Sequence, residues 1–191
     1  MSIQGQAKSR LILLFIAALF VGPVFFAGWL YYKGELIQPA GRANNGALLE
    51  PIINLADVLA ESPLYEFNPG YWLLTYQNRG DCDDACELAL YTTRQLRLML
   101  GKDISRVRRI FLHGETLPDT VFLTDVHKGL ISLQDEDLSD VLDQKRPIEL
   151  AGGGYFLIDP HGNLVMYFHP GLDPRDIIDD IKRLLKLSRI G

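Results

Sequence analysis

Tyr71-Trp72-Leu73-Leu74-Thr75-Tyr76-Gln77-Asn78-Arg79-Gly80-Asp81-Cys82-Asp83-Asp84-Ala85-Cys86 is the stretch that decides how this chain folds. Its apolar run, Trp72 to Tyr76, follows the turn signal Asn68-Pro69-Gly70 and is bounded by Gln77-Asn78-Arg79-Gly80, which is the pattern of a buried parallel strand. The strand breaks into a helix that Asp81 or Asp83 can cap and that opens on the chain's two cysteines. Side chains at i and i+4 are neighbours on a helix, so Cys82 and Cys86 are expected on one face, within reach of each other or of one partner. A helix N-terminus favours the thiolate that attacks disulfides and binds copper. Asp81, Asp83, Asp84 and Glu87 oppose that second negative charge, with Arg79 the cation close in sequence to offset them, so moderate thiol reactivity is expected.

Outward from this stretch, the helix pattern continues through Leu88, Tyr91, Leu96 and Met99 to Leu100 and stops at Gly101. Arg106 to Leu112 reads as a second strand, parallel to the first because a helical crossover joins them. Residues 119–142 are expected to be mostly helix and turn. Tyr155 to Ile158 and Leu164 to Phe168 flank Asp159-Pro160-His161-Gly162-Asn163, the pattern of a β-hairpin. Asp173-Pro174 then opens a last helix with Ile177, Ile178, Ile181, Leu184 and Leu185 at helical spacing. Before the first strand, Leu48 to Leu59 and Asp57 to Leu64 are expected to wrap the domain edge. The order of elements from about Tyr71 to the C-terminus resembles the thioredoxin fold, which implies an α/β domain with a central mixed sheet flanked by helices.

Leu11 to Tyr32 carries no charge and is almost wholly apolar. The length matches the ~20 residues that cross ~30 Å of hydrocarbon, and Trp29, Tyr31 and Tyr32 stand at the end where aromatic rings favour headgroups. A transmembrane helix over 11–32 is therefore expected, embedded in the lipid bilayer, with 1–10 as a cytoplasmic N-terminus. Lys8 and Arg10 precede the span and predict an N-in, C-out topology, placing the rest in the periplasm or an equivalent outer space. A cleaved signal peptide is the rival reading, disfavoured by the long apolar core and the Trp-Leu-Tyr-Tyr-Lys context at its end. Residues 33–47 read as a tether and 48–191 as one domain. The whole chain holds 19 basic and 24 acidic residues; without Lys8 and Arg10 the outer part holds 17 against 24, about −7, which argues against nucleic acid as a partner.

The three-residue spacing of Cys82-Asp83-Asp84-Ala85-Cys86, preceded by Tyr76-Gln77-Asn78, resembles the Sco/SenC family, in which a strand and turn lead to Cys-Pro-Asp-Val-Cys-Pro. Phe156-Leu157-Ile158-Asp159-Pro160-His161-Gly162 is similar to the family's Tyr-Leu-Ile-Asp-Pro-x-Gly, and the N-terminal anchor fits as well. The resemblance implies a membrane-anchored factor that assists assembly of cytochrome c oxidase, with an oxidase subunit or another assembly factor as partner. It also implies Cys82 as attacking thiol or first Cu(I) ligand and Cys86 as resolving thiol or second ligand. Where the family places a histidine ligand this chain has Ala151. Of the four histidines, His113 and His169 follow strands that end on the cysteine edge of the sheet and are the candidate third ligands; His161 lies at the opposite edge, and His127 falls in a segment without a clear placement. Each also reads as a plain surface imidazole.

Two further readings of the same residues stay open. One is a thiol-disulfide reductase of the outer space, which needs no third metal ligand; the other is a docking module with vestigial thiols. A passive disulfide is the ordinary reading for an exported protein, yet so short a loop gives only about 2 kcal/mol. No Gly-rich phosphate loop, His-Glu-x-x-His or nucleophile elbow is present in the sequence.

Overall fold

The computed structural model describes residues 3–32, 44–116, 118–147 and 153–188. The chain divides after Ala43 into two compact units. The first holds helix α1, Ile3–Tyr32, with Pro23 inside it. Ile12, Phe15, Phe20, Phe25 and Trp29 are all more than half exposed, and a helix apolar all round is one made for an apolar environment. Among the residues whose side chains are described, however, no helix is long and apolar enough to cross a membrane.

The second unit is built on a six-stranded mixed sheet in the order β1-β6-β5-β2-β3-β4. Its strands are β1 (Ala47–Asn54), β2 (Trp72–Asn78), β3 (Val107–His113), β4 (Leu130–Leu133), β5 (Tyr155–Ile158) and β6 (Asn163–Phe168). β2 pairs in parallel with β3, from Trp72 opposite Val107 to Asn78 opposite His113, and antiparallel with β5. All residues of β2 from Trp72 to Gln77 are buried, which is why this strand reads as an unbroken apolar run: both faces are covered. On one face, Trp72, Leu74, Tyr76 and Phe111 pack with α3 (Asp84–Met99) and α5 (Pro174–Leu187) through Leu90, Leu96, Ile177 and Ile181. On the other, Leu73, Ile110, Leu112 and Phe156 meet Leu59 of α2 (Ala56–Glu61), Leu64 of a 3-10 turn (Pro63–Phe67), and Leu138 and Leu142 of α4 (Glu136–Lys145).

Aspartates start three of these helices. Asp83, Asp135 and Asp173 each accept a backbone N–H two or three residues ahead, from Cys86, Leu138 and Arg175, satisfying donors that the helix itself leaves unpaired. Asp83→Ala should therefore cost about 1 kcal/mol, measured by urea unfolding with the disulfide intact; an unchanged midpoint would show that the bridge alone holds this helix start.

The parallel strand pair, the hairpin and the last helix stand where the sequence places them. Residues 119–142 need correction. A π-turn (Phe122–Val126) and α4 are present, but Leu130–Leu133 between them is a strand, parallel to β3 through Arg109 opposite Leu130 and Phe111 opposite Ser132. The entry region contributes β1, which pairs antiparallel with β6 at the sheet edge and carries a register shift between Leu48 and Ile53, around Pro51. Asp180 of α5 is buried and accepts the backbone N–H groups of Asn45 and Gly46 at 2.7 and 2.8 Å, fastening the start of this unit to its last helix.

Candidate dithiol site

β2 ends at Asn78, and the chain must turn before α3 begins. Asn78 shapes that turn: its Nδ2 donates to Asp81 O at 3.1 Å, and its Oδ1 accepts from Gly80 N at 3.2 Å. From the neighbouring strand, Gly114 N donates to Asn78 O at 3.1 Å. A Cβ on Gly114 would lie 2.1 Å from the carbonyl oxygen of Arg79, so only glycine allows the two loops to meet at this point.

Cys82 and Cys86 are joined by a disulfide, with Cα atoms 5.0 Å apart. The expectation that both lie on one helix face is corrected by the cap. Asp83 is the N-cap residue, so Cys82 stands just outside the helix and Cys86 in its first turn. The bridge spans the cap, covalently fixing the entry of the chain much as an apolar staple does elsewhere. Exposure divides the pair: Cys86 is 1% exposed and belongs to the core, whereas Cys82 is half-buried.

A cavity of about 520 Å³ opens beside the bridge, lined among others by Tyr76, Asn78, Asp83, Cys86, Arg146 and Gly153. Arg79 does not relieve the acids of the cysteine loop, contrary to expectation. Its guanidinium is turned to α4, with Nε 3.0 Å from Asp143, Nη1 3.5 Å from Glu136 and Nη2 on Asp140. These contacts hold it firmly protonated, the hydrogen bond to Asp140 first among the causes. Asp81, Asp83 and Asp84 are thus left without that cation, and their charge disfavours an isolated thiolate.

Tyr76 forms the floor of the site, stacked on Phe111 at 5.8 Å and tilted against Tyr155 at 5.9 Å. Burial, then the neighbouring Tyr155 and Asp83, push its phenol up to about 12. The folded state therefore holds this proton more tightly than the unfolded chain does. The associated stability is whole below pH 10 and is lost as pH rises from about 10 to about 12. Tyr76→Phe should remove an alkaline loss on the order of 2 kcal/mol, seen as a flatter fall of unfolding free energy over that window.

Of the candidate third ligands, His113 ends β3 with its ring against Phe111 at 5.8 Å and Nδ1 2.7 Å from Gly114 O. His169 follows β6, and its Nδ1 accepts from Gly171 N at 3.1 Å. Neither lines the cavity beside Cys86; His113 instead shares a separate cavity with His127. Ala151 lies outside the described residues. Among the described residues, no group of three or more His, Cys, Asp or Glu is placed to hold a metal ion. The donor set near the bridge is therefore two sulfurs, which suits a soft monovalent ion better than Cu(II).

Sequence reasoning did not find Gly114, Asp143, Arg146 or the role of Gly154. Asp143 receives Arg146 at 2.8 Å as well as Arg79, linking the cavity rim to α4. From sequence alone Gly152-Gly153-Gly154 predicts a mobile approach to the hairpin, yet a Cβ on Gly154 would lie 2.5 Å from Tyr167 Oη and 2.7 Å from Phe168 O, at φ +129°. Tyr167 Oη donates to the Gly153 carbonyl, so the approach to β5 is fastened.

A mixed sheet with helices on both faces, and a cysteine pair where the first core strand runs into its helix, define a thioredoxin-like protein with a bridged dithiol. The family model described as transmembrane-like, thioredoxin-like, C-terminal domain matches residues 72–188. The chain belongs to that family. Among solved structures it is similar to apo Sco1 of Thermus thermophilus, with 20% identity, TM-score 0.53, and coverage of 78% of this chain and 99% of that one. Copper-bound yeast Sco1 gives 16% identity, TM-score 0.52, and coverage of 78% and 96%. Copper-bound ScoI of Arabidopsis thaliana gives 18%, 0.51, and 64% and 89%. At such identities the likeness is one of fold. No curated protein matches the sequence.

Proposed function

We propose that this chain is a membrane-anchored, outer-side thiol-disulfide exchange protein that acts through Cys82 and Cys86 in the assembly of a respiratory copper oxidase. The carrying observation is the unequal exposure of a formed bridge at a helix start, with Cys82 half-buried and Cys86 in the core. In the reduced protein the Cys82 thiolate attacks a partner disulfide, forming a mixed disulfide and releasing one partner thiolate. The Cys86 thiolate then attacks Cys82 Sγ, which restores the Cys82–Cys86 bond and releases the second partner thiol. Two electrons pass to the partner, and an outer-space dithiol donor must return them. Support for the anchor over 11–32 and its N-in, C-out topology comes from the uncharged apolar run after Lys8 and Arg10. Oxidase subunits or their assembly factors are the proposed partners, by analogy with the Sco fold.

A second reading, Cu(I) handling by the same two sulfurs, draws on the copper held by the yeast and Arabidopsis relatives. His113 or His169 would have to move to complete a three-ligand site. Equilibration of the full chain in detergent with dithiol buffers, read by mass, tests the first reading; competition of the reduced protein with a Cu(I) chelator tests the second. Reversible two-electron reduction with weak Cu(I) retention is expected. A bridge that resists reduction while the protein stays folded, or that exchanges with no added disulfide, removes the exchange reading.

A further inference from the structure

A second cavity, of about 500 Å³, lies between β3, β4 and the π-turn. His113, Thr120, Thr124, His127, Lys128 and Ser132 are among its walls, and no Asp or Glu lines it. That composition stands out in a unit with an excess of acids. His127 is 1% exposed, and neither of its ring nitrogens has a hydrogen-bond partner among the described residues; the same holds for Ser132 Oγ and for Nη1 of Arg109, both buried. Buried polar atoms are paired in the great majority of cases, so the three such atoms on cavity-lining residues, both His127 ring nitrogens and Ser132 Oγ, point to a guest that satisfies them.

The sign of the guest follows from the charges around it. Arg109 is 2% exposed and lies behind the wall, its Nη2 donating to the carbonyls of His127 at 3.2 Å and Lys128 at 2.9 Å. Burial first, then Arg109 and Arg94, hold the His127 imidazole below the usual histidine range. It is therefore neutral near pH 7, offering one N–H donor. Burial also lowers Arg109, to about 10, with Arg97 and Arg94 adding to the effect. The same positive field opposes a metal cation, although two imidazoles share the cavity. It favours an anion that takes hydrogen bonds from an imidazole N–H and hydroxyl groups. Asp119 and Asp125 flank the π-turn and are not among the lining residues; Asp119 Oδ1 accepts from Val121 N, and Asp125 Oδ1 accepts from the Thr124 hydroxyl at 3.5 Å, while Asp84 and Glu87 border His127 on its other side, so Ser132 is the wall hydroxyl without a partner among the described residues. A π-turn in this position fits the tendency of such distortions to occur at functional sites.

We propose that the cavity bounded by His113, His127, Lys128 and Ser132 is a binding site for a small oxyanion, a carboxylate or a phosphate. The assignment is independent of the thiol chemistry. It is tested on the full chain in detergent micelles, labelled with ¹⁵N-histidine and titrated with sodium acetate or sodium phosphate at constant ionic strength. The expected result is a saturable movement of the His127 ring resonance with at least one of the two anions; the arm that saturates first identifies the class. Ser132→Ala and Lys128→Gln, both small changes at the cavity wall, should each weaken that saturation at least fivefold. Absence of saturation with both anions overturns the site. So does equal movement at exposed His161 and at His127, or an unchanged titration in both variants.

Discussion

Cys82→Ser is expected to reduce disulfide exchange to the uncatalysed background while leaving the sheet intact, and Cys86→Ser to leave a mixed disulfide between Cys82 and its partner. The asymmetry follows from position. Cys82 precedes the helix cap and is half-buried, so the proposed exchange assigns it the contact with the partner; Cys86, 1% exposed in the core cluster, is left to resolve the adduct. Loss of the bridge closes a short loop less tightly and should cost about 2 kcal/mol, well under the stability of a domain this size. Trapping by gel shift under non-reducing conditions checks the first point, and circular dichroism of both variants checks the second. A partner adduct formed by Cys82→Ser instead of Cys86→Ser would reverse the roles assigned to the two sulfurs.

Gly114→Ala should have a large effect on stability for a change outside the deep core. The added methyl would meet the carbonyl carbon and oxygen of Arg79 at 2.8 and 2.1 Å, and neither backbone segment can yield cheaply. Gly114 N is bonded to Asn78 O, while Asn78 organises the turn that carries Cys82. We expect a loss of about 3 kcal/mol, together with altered reactivity of the dithiol because the cysteine loop must shift. Urea unfolding measures the first, and the equilibrium with dithiol buffers measures the second. A change below about 0.5 kcal/mol, the usual size for a surface substitution, would show that the two loops are not in contact in solution.

The contrast between these two sites explains what the sequence reveals. Cys82 and Cys86 were legible because local pattern suffices: an apolar run, a turn, an aspartate cap and two sulfurs four residues apart. Gly114 was not, since its role depends on Arg79, a residue 35 positions away that only sheet pairing brings close. β4 was hidden for a related reason. Leu130-Ile131-Ser132-Leu133 is short and half-buried throughout, without the alternation that marks a strand, and its pairing with β3 is wholly non-local. β1 contains Pro51, which is tolerated because the strand lies at the sheet edge.

Arg79 and His127 show the same limit for electrostatics. Sequence proximity assigned Arg79 to the acids of its own loop, yet it is held by three carboxylates of α4, more than 50 residues later. His127 sat in an ambiguous segment, and nothing local signalled that Arg109 would lie against its carbonyl or that Phe122 would meet its ring at 4.6 Å. By contrast, the hairpin was readable to within one residue, β6 beginning at Asn163 rather than Leu164. Asp159 accepts the N–H groups of His161 and Asn163, and Gly162 N closes back on the Asp159 carbonyl, so its instructions are all contained in five positions.

The irregular outer margin formed by β1 has a consequence for how other molecules approach. Proline at position 51 supplies no amide hydrogen, and the slipped pairing between Leu48 and Ile53 interrupts the ladder. A foreign strand laid along that border would find broken continuity where it needs regularly spaced donors and acceptors. Sheet extension is thereby discouraged on that flank, which leaves β4 as the margin of the sheet with the more regular ladder.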